Sequence, residues 1–275
     1  MSRFDYRRLP WAFVSSAVDG YRNRELFDGV EAYCTFIGHA RSGTSLVGSL
    51  LTAHPDMVIA HEFDALRYIR FRFTRNQVYS LLMEKDVRFT RAGLRQVKIG
   101  YEFEVPGAWQ GRYRDLKVIG DKRGGASTRQ LKERPYLLDR LRRTVGVPVR
   151  LVHLTRNPFD NISTIARRSS RTLEEAVDRY FERCETVRQL REQLGDDVLH
   201  IRYEDFLSDA KDSLRRVCGF LGVDAEDDYL SACSAIVWSS SRRTRNDAGW
   251  TPDLVRSVEK RMGAFTFLAG YSFED

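Results

Sequence analysis

The sequence lacks the features that mark disulfide-rich, zinc-binding, membrane-spanning or secreted chains. It has only four cysteines among 275 residues, Cys34, Cys184, Cys218 and Cys233, and none has C-x-x-C spacing. Such scattered cysteines are typical of small buried hydrophobes, and we expect reduced thiols. No apolar run approaches the roughly 20 residues of a membrane span, and residues 1–11 lack the apolar block of a signal peptide. We therefore expect a cytoplasmic protein without a membrane span.

Linkers, repeats and metal motifs are also missing. Proline is scarce at 7 residues, and no Pro/Gly/Ser-rich stretch is long enough to separate domains. We predict one domain over residues 1–275, with its core over residues 33–275 and an N-terminal extension over residues 1–32. His61 and Glu62 lack the second histidine of a zinc-binding H-E-x-x-H motif, so no metal is expected. The absence of G-x-S-x-G and G-x-G-x-x-G turns disfavours hydrolases and dinucleotide-dependent dehydrogenases.

The charge that is present is moderately basic. Lysine and arginine total 45 against 38 acidic residues, which gives a net charge of +7. A positive balance favours a polyanion, a membrane surface or a phosphate-rich small ligand as partner, but charge alone does not choose among them. The basic residues are spread along the chain without a basic tail or a nucleic-acid-binding module, so we predict no nucleic-acid partner.

Apolar runs and helical patterns alternate along the chain. Runs suited to buried parallel strands occur at residues 33–38, 57–60, 116–120, 149–154 and 198–201. Helical periodicity is clearest at residues 174–194 and 208–221. This alternation predicts a single-domain α/β fold in which helices flank a parallel sheet, with functional loops at the carboxyl ends of the strands.

The first predicted strand leads into a loop with the pattern G-x-x-x-x-G-T-S. Gly38 and Gly43 allow tight turns, and the following helix presents its positive N-terminus to an anion. Hydroxyl donors are supplied by Ser42, Thr44 and Ser45. Thr44 stands where a nucleoside triphosphatase has its lysine. The segment therefore predicts a phosphate-binding loop of P-loop nucleotide-binding type; the alternative is a Gly/Ser turn that only caps a helix.

The fourth predicted strand ends in Arg156, where a triphosphatase usually has an acidic residue for Mg²⁺. A guanidinium suits a second phosphate, and Asn157-Pro158 opens a helix that would bring Ser163 or Thr164 to the same anion. The alternative reading makes Arg156 a surface ion-pair partner. We interpret Asp160 as a charge at the helix N-terminus.

Together, the segments Arg41-Ser42-Gly43-Thr44-Ser45 and Arg156-Asn157-Pro158-x-Asp160 resemble the PAPS-dependent sulfotransferase superfamily. PAPS is 3′-phosphoadenosine 5′-phosphosulfate, the sulfuryl donor. The stretch from Gly38 to Glu62 is similar to the branch that contains tyrosylprotein sulfotransferases and many bacterial members. The resemblance continues at Gly120-Asp121-Lys122 and Arg202 to Leu207, and it implies transfer of a sulfuryl group to a hydroxyl or amine.

The resemblance also implies how the donor is bound. Arg41 to Ser45 would hold the 5′-phosphate and the transferring group, and Arg156 with Ser163 or Thr164 would hold the 3′-phosphate. Which of the two hydroxyls serves is open. Tyr203 resembles a tyrosine near adenine, although a buried corner tyrosine is an alternative. Arg245, together with Arg242 and Arg243, would supply a late basic loop over the 3′-phosphate.

Catalysis needs a base and a positive charge near the leaving oxygen. Glu62 resembles the base of the glutamate-using branch, with neighbouring His61 as the competing candidate and a helix N-terminal acid as the structural alternative. Lys122 resembles the family lysine that reaches the leaving oxygen, and Arg41 is a second stabiliser. The resemblance implies, more weakly, an additional catalytic serine among residues 239–241.

Two other function classes remain open, a P-loop kinase or NTPase and a catalytically inert nucleotide-binding relative. Thr44 and Arg156 disfavour the former, and Glu62 with Lys122 disfavours the latter. The acceptor is a small molecule, a carbohydrate or a peptide. Residues 67–75 interleave aromatics with arginines and either shape the acceptor cleft or, as we prefer, form an amphipathic helix whose arginines face water.

Overall fold

The computed structural model describes residues 9–93, 95–96 and 101–275. Its main sheet has five parallel strands in the order β2-β5-β1-β6-β7. The strands are β1 (Ala32–Gly38), β2 (Met57–His61), β5 (Val118–Lys122), β6 (Val149–Thr155) and β7 (Val198–Arg202). A short antiparallel pair, β3 (Arg95–Gln96) and β4 (Tyr101–Glu102), lies outside this sheet. The predicted parallel α/β sheet flanked by helices is confirmed.

Thirteen α-helices are found in the described ranges. They are α1 (Leu9–Arg22), α2 (Arg24–Asp28), α3 (Thr44–Leu51), α4 (Ala65–Arg70), α5 (Arg75–Arg91), α6 (Gly124–Glu133), α7 (Tyr136–Val145), α8 (Pro158–Ser169), α9 (Leu173–Leu194), α10 (Tyr203–Ser208), α11 (Ala210–Leu221), α12 (Asp227–Ala235) and α13 (Pro252–Met262). Over these same ranges, no helix combines the length and apolar character needed to cross a membrane.

The sheet separates two apolar clusters, because side chains alternate between its faces. On β1, Tyr33 and Ile37 face the cluster that contains α9, whereas Cys34 and Phe36 face the cluster that contains α3 and α11. Every residue of β1 is buried, as expected for a central strand covered on both faces. The carboxyl ends of β1, β2, β5 and β6 therefore meet at one edge, beneath the loops that carry the predicted site.

The four cysteines are free and buried, as predicted. Cys34 lies in the central strand, and the other three lie in helices. Burial is the largest cause that raises the pKa of each thiol, so each stays protonated near neutral pH. They behave as small core side chains.

The predicted amphipathic helix over residues 67–75 is wrong in extent. Helix α4 ends at Arg70, because Arg72 takes a left-handed backbone with φ of 63° that an α-helix does not tolerate. A new helix then begins after Thr74, which forms a capping box with Gln77. The predicted third strand also differs: it begins at Val118 and runs on to Lys122, so Lys122 belongs to the strand.

The N-terminal extension is helical where it is described. Helix α1 packs on α5, and Gln77 Nε2 donates a hydrogen bond of 2.8 Å to the carbonyl of Phe13. Phe27 of α2 is fully buried in the cluster that contains α9. Residues 9–28 thus contribute side chains to the same core as the sheet.

Candidate functional site

The loop between β1 and α3 has the shape that its glycines predicted. Gly38 and Gly43 have φ of 108° and 86°, a region that favours glycine. A Cβ atom on Gly43 would stand 2.1 Å from Cδ2 of Tyr203, and one on Gly38 would stand 2.9 Å from Cδ2 of His153. Both positions therefore favour glycine, because a neighbouring ring lies too close for a Cβ atom and because the backbone φ is positive. Arg41, between them, also has a positive φ of 71°.

Helices on one side of the sheet hold this loop in place. His39 is buried, stacks on Tyr180 and donates from Nε2 to the Tyr180 carbonyl at 2.9 Å. Burial lowers the pKa of His39 to about 3, which keeps the ring neutral. Asn161 of α8 donates to the Ala40 carbonyl at 3.0 Å and to Ser42 Oγ at 2.9 Å. The loop is thereby fixed before any ligand arrives.

Lys122 is the last residue of β5, and its side chain is only 1% exposed. Its ammonium donates to Ser45 Oγ at 2.8 Å and forms an ion pair with Glu62. Gly48 of α3 provides the space, because a Cβ atom there would stand 2.8 Å from Lys122 Cγ. Burial lowers the pKa of Lys122, and the Glu62 carboxylate opposes that shift. A lysine charge is thus held beneath the first loop.

Glu62 directly follows β2, in a turn with φ of 50°. Its N–H donates to the Lys122 carbonyl at 3.0 Å, and its side chain is 52% exposed. His61 is different: it is buried and lies parallel to the Phe89 ring at 4.2 Å between centroids. Burial, followed by the charge of Lys122, lowers the pKa of His61 to about 2. Of the two candidate bases, Glu62 alone combines solvent access with a contact to Lys122.

Asp121 was missed as a site residue by sequence reasoning. Its Oδ1 accepts from Tyr33 Oη at 3.2 Å and from Thr35 Oγ1 at 3.0 Å, and its Oδ2 accepts from the Ala65 N–H at 3.3 Å. Burial raises its pKa to about 7. The carboxylate ties β1 and β5 to the start of α4, just beyond the Glu62 turn. The available signal was an acidic residue inside an apolar strand.

Arg156 follows β6, with its side chain only 10% exposed. It donates from Nη2 to the carbonyl of Arg242 and lies 4.0 Å from Asp160 Oδ2. Its Nε is buried without a hydrogen-bond partner. A buried N–H without an acceptor is costly, so this guanidinium is suited to receive another oxygen ligand.

Asp160 lies in the first turn of α8, as predicted, and it also forms a buried ion pair. Its Oδ2 accepts from Arg245 Nη1 at 3.1 Å, and its Oδ1 accepts from the Arg245 N–H at 3.0 Å. The pair fastens the 3-10 turn Thr244–Asp247 to α8. Sequence reasoning missed this contact, because the partners lie 85 residues apart.

The two candidate hydroxyls on α8 face different neighbours. Ser163 Oγ donates to the Phe159 carbonyl at 2.7 Å and accepts from Trp250 Nε1 at 2.8 Å. Thr164 Oγ1 donates to the Asp160 carbonyl at 2.8 Å and lies 3.0 Å from Thr244 Oγ1. Thr164 therefore shares the surroundings of Arg245 and Asp160, whereas Ser163 belongs to the Trp250 contact.

Tyr203 begins α10 after β7, and its ring lies against Gly43, as the close approach above shows. The next residue, Glu204, accepts from the Asn157 N–H at 2.9 Å and from Tyr271 Oη at 2.7 Å. These contacts fix the end of β7 beside the end of β6. The tyrosine predicted near adenine thus borders the first loop.

The arrangement places two positive centres at one edge of the sheet. Arg41 and Lys122 lie at the ends of β1 and β5, and Arg156 and Arg245 lie beyond β6. Across the described part of the chain, no group of histidine, cysteine, aspartate and glutamate side chains is arranged to hold a metal ion. The candidate site can therefore bind a ligand with two separated anionic groups.

Residues 138–227 match the sequence pattern described as "Sulfotransferase family". The sulfotransferase domain of the Synechococcus PCC 7002 olefin synthase aligns with a TM-score of 0.51 at 20% identity, covering 82% of this chain and 83% of that one. The sulfotransferase domain from the curacin biosynthetic pathway has a TM-score of 0.53 at 14% identity, with coverages of 86% and 97%. Sulfotransferase STF1 from Mycobacterium tuberculosis H37Rv has a TM-score of 0.52 at 14% identity, with coverages of 91% and 81%. At these identities the likeness is one of fold. The sequence has no significant match among curated proteins.

Proposed function

We propose that this chain is a sulfotransferase, which transfers a sulfuryl group from PAPS to a hydroxyl or amine of an acceptor. The observation that carries the proposal is the pair of separated cationic centres, with Glu62 placed at only one of them. PAPS has two anionic groups, a 5′-phosphosulfate and a 3′-phosphate, and only the first reacts. The centre that contains Glu62 suits the reacting phosphosulfate, and the centre without a candidate base suits the 3′-phosphate.

The residues present fit this donor. The loop from Arg41 to Ser45 would surround the 5′-phosphosulfate, with Gly43 allowing close approach of the backbone. Arg156 has a buried N–H without a partner and would bind the 3′-phosphate together with Arg245. Thr164 would supply the hydroxyl there, since it lies beside Asp160 and Thr244, whereas Ser163 lies against Trp250. Tyr203 would border the adenine.

In the proposed reaction, the donor supplies a sulfuryl group attached to a phosphate oxygen. The acceptor oxygen or nitrogen forms a bond to sulfur while the bond from sulfur to the bridging oxygen breaks. Glu62 accepts the acceptor proton, and Lys122 with Arg41 stabilises the negative charge that develops on the leaving oxygen. The products are a sulfated acceptor and adenosine 3′,5′-bisphosphate.

The two side chains of the Lys122–Glu62 ion pair differ in how far each can move. Lys122 is enclosed by α3 and held by Ser45, so its charge stays in place. Glu62 is half-exposed and can leave the ammonium for an acceptor. We propose that the bound phosphosulfate replaces Glu62 as the partner of the Lys122 ammonium and so releases Glu62 to act as the base.

Ligand-dependent thermal stability tests the donor assignment. Adenosine 3′,5′-bisphosphate should raise the melting temperature without Mg²⁺, because it occupies both cationic centres. ATP should raise it much less, since it has no 3′-phosphate for Arg156. Equal stabilisation by Mg-ATP would instead favour a kinase or NTPase, and no response to either nucleotide would reject the donor site.

Turnover with labelled PAPS and a panel of sugars, phenols and peptides tests transfer itself and identifies the acceptor class. Transfer to at least one acceptor is expected in buffer that contains a chelator, because protein cations replace Mg²⁺ in this proposal. Bisphosphate binding without transfer to any class of acceptor would favour the inert relative. Cytoplasmic location remains a prediction.

A further inference from the structure

A crevice beside the first loop holds an arginine that the proposed reaction does not use. Arg183 lies on α9 and is partly buried. Its Nη1 is 3.4 Å from the point where a Cβ atom on Gly125 would stand, and that same point is 2.8 Å from the N atom of Ala40. The guanidinium therefore lies where α9, the start of α6 and the loop carrying Ala40 meet.

Two more arginines share this crevice. Arg179 precedes Arg183 by one turn on α9, and Arg129 follows Gly125 by one turn on α6, so each lies on the helix face that contributes to the contact. Both are exposed. Burial lowers the pKa of Arg183, and the charges of Arg129 and Arg179 add to that shift. The three cations are thus close enough to repel one another.

The nearby carboxylates neutralise this cluster only in part. Glu133 forms an ion pair with Arg129 at 3.8 Å. Glu182 partly opposes the lowering of the Arg183 pKa, but it also pairs with Lys132 at 3.5 Å. Within the described ranges, Arg183 and Arg179 form no ion pair with a carboxylate. Gly124 and Gly125, at the N-terminus of the ten-residue helix α6, add positive potential to the same place.

A partly desolvated guanidinium among like charges is unfavourable unless an anion compensates it. Arginine cannot relieve this cost by losing its proton. We infer that the Arg183 crevice, defined by Arg129, Arg179 and Arg183, binds an oxyanion such as a carboxylate, sulfate or phosphate. Its source is either a charged group of the acceptor or a free inorganic anion. The acceptor source rests on the proposed function, whereas the anion site itself does not.

The first experiment measures anion binding without turnover. Inorganic sulfate is titrated against the protein in saturating adenosine 3′,5′-bisphosphate, at constant ionic strength set with chloride, while the melting temperature is followed. The wild type should show a saturable rise, which Arg183→Gln should abolish and Arg183→Lys should retain in part. Arg188→Gln is the matched control, because Arg188 lies on the same helix and is half-exposed but is paired with Glu185 and Glu192.

An unchanged saturable response in Arg183→Gln overturns the inference, and so does equal loss in Arg188→Gln. Circular dichroism of each variant without ligand separates loss of binding from loss of folding. If the bisphosphate does not bind, the sulfate titration is repeated alone, and the comparison between Arg183→Gln and Arg188→Gln still decides the anion site. Failure of the proposed donor is therefore distinguishable from failure of this site.

The second experiment identifies the source of the anion. Two phenolic acceptors of nearly equal shape, 4-hydroxyphenylacetate and its neutral amide, are compared in turnover. If the acceptor supplies the anion, Arg183→Gln should raise KM for the carboxylate by about 10- to 100-fold, the loss expected for a hydrogen bond to a charged group. KM for the amide and bisphosphate affinity should not change. Equal KM effects on both acceptors, with sulfate binding lost, assign the crevice to a free anion.

Discussion

Each cationic centre pairs a buried cation with a carboxylate, and the two carboxylates differ in burial. In the centre beside the first loop, the Lys122 side chain is 1% exposed and its partner Glu62 is 52% exposed. In the centre beyond β6, the side chains of Arg245 and Asp160 are 2% and 1% exposed. The first carboxylate can move into solvent or toward a ligand, and the second cannot. In the proposed reaction, the centre that reacts thus has a movable partner, whereas the centre that would bind the 3′-phosphate is built on a fixed one.

The chemistry of the two cations reinforces this difference. Lys122 can lose its proton, and burial already lowers its pKa, so loss of Glu62 leaves a group that can become neutral. A guanidinium, in contrast, cannot relieve the cost of burial by losing its proton. Removing Asp160 would leave the Arg245 guanidinium buried without this carboxylate, and its Nη2 already lacks a hydrogen-bond partner. Removal of Glu62 is therefore expected to lower turnover, whereas removal of Asp160 is expected to lower the stability of the fold.

The sharpest expected effect is on turnover in Glu62→Gln. A general base typically contributes about 10² to 10⁴ in rate, so kcat should fall by that range while bisphosphate affinity stays close to wild type. Steady-state kinetics and calorimetric titration measure the two quantities. His61→Phe, which keeps an aromatic ring on Phe89, is the control and should retain most activity. The reverse result, with His61→Phe inactive and Glu62→Gln within a few-fold of wild type, would assign the base to His61.

Asp160→Ala should act on folding. It removes one partner of a buried pair, which typically costs about 3 to 5 kcal/mol of unfolding free energy. Urea unfolding of this variant beside Glu62→Ala tests the contrast, since the Glu62 variant should lose much less. A stability close to wild type for Asp160→Ala would show that the buried pair is no more fixed than the exposed one.

Lys122→Ala should reduce kcat by about 10² to 10³, the range for removing one preorganised charge stabiliser. Donor affinity should fall as well, because the ammonium lies beneath the loop that would hold the phosphosulfate. Kinetics and bisphosphate titration should therefore both change, unlike in Glu62→Gln. Equal changes in kcat and in bisphosphate affinity for Lys122→Ala and Glu62→Gln would mean that the ion pair acts as a unit.

Arg156→Ala should weaken bisphosphate binding by about 10- to 100-fold, the loss of one or more hydrogen bonds to a charged group. A donor analogue without the 3′-phosphate, adenosine 5′-phosphate, provides the control, because its affinity should not depend on Arg156. Calorimetric titration of both ligands measures the contrast. Equal losses for the two nucleotides would place Arg156 away from the 3′-phosphate.

The most gradual expected effect is the pH dependence that Asp121 adds to stability. Its pKa rises from 3.8 to about 7 on folding, so the folded state holds the proton more tightly. This contribution to stability is complete below about pH 4 and is lost as pH rises toward 7, with a slope of at most about 1.4 kcal/mol per pH unit. Asp121→Asn should remove this slope from urea unfolding measured at several pH values. An identical pH profile for wild type and variant would contradict the assignment.

The strands and the first loop could be predicted because apolar runs and glycines are visible in consecutive residues of the sequence. The run from residue 33 to 38 is apolar except for Thr35, and Gly38 and Gly43 do adopt positive φ. Partners across the fold were not predictable in this way. The contacts of Asp121 with Tyr33 and of Arg245 with Asp160 depend on which strands and loops become neighbours.

The error at residues 67–75 has a similar cause. Periodicity reports which face of a helix is apolar, but it does not report where one residue leaves the helical region of backbone space. Arg72 has no proline or glycine beside it to signal the break. Similarly, the apolar run at 116–120 marked the strand, but not its continuation through the polar residues Asp121 and Lys122.

Gly48 has a consequence for protein engineering. Stability design routinely replaces a glycine inside a helix with alanine, because the change gains about 1 kcal/mol of helix propensity. In α3 the added methyl would stand 2.8 Å from Lys122 Cγ, well inside van der Waals contact. A generic stabilising substitution would therefore displace the buried ammonium from Ser45 and Glu62, and it would act against the proposed transfer reaction.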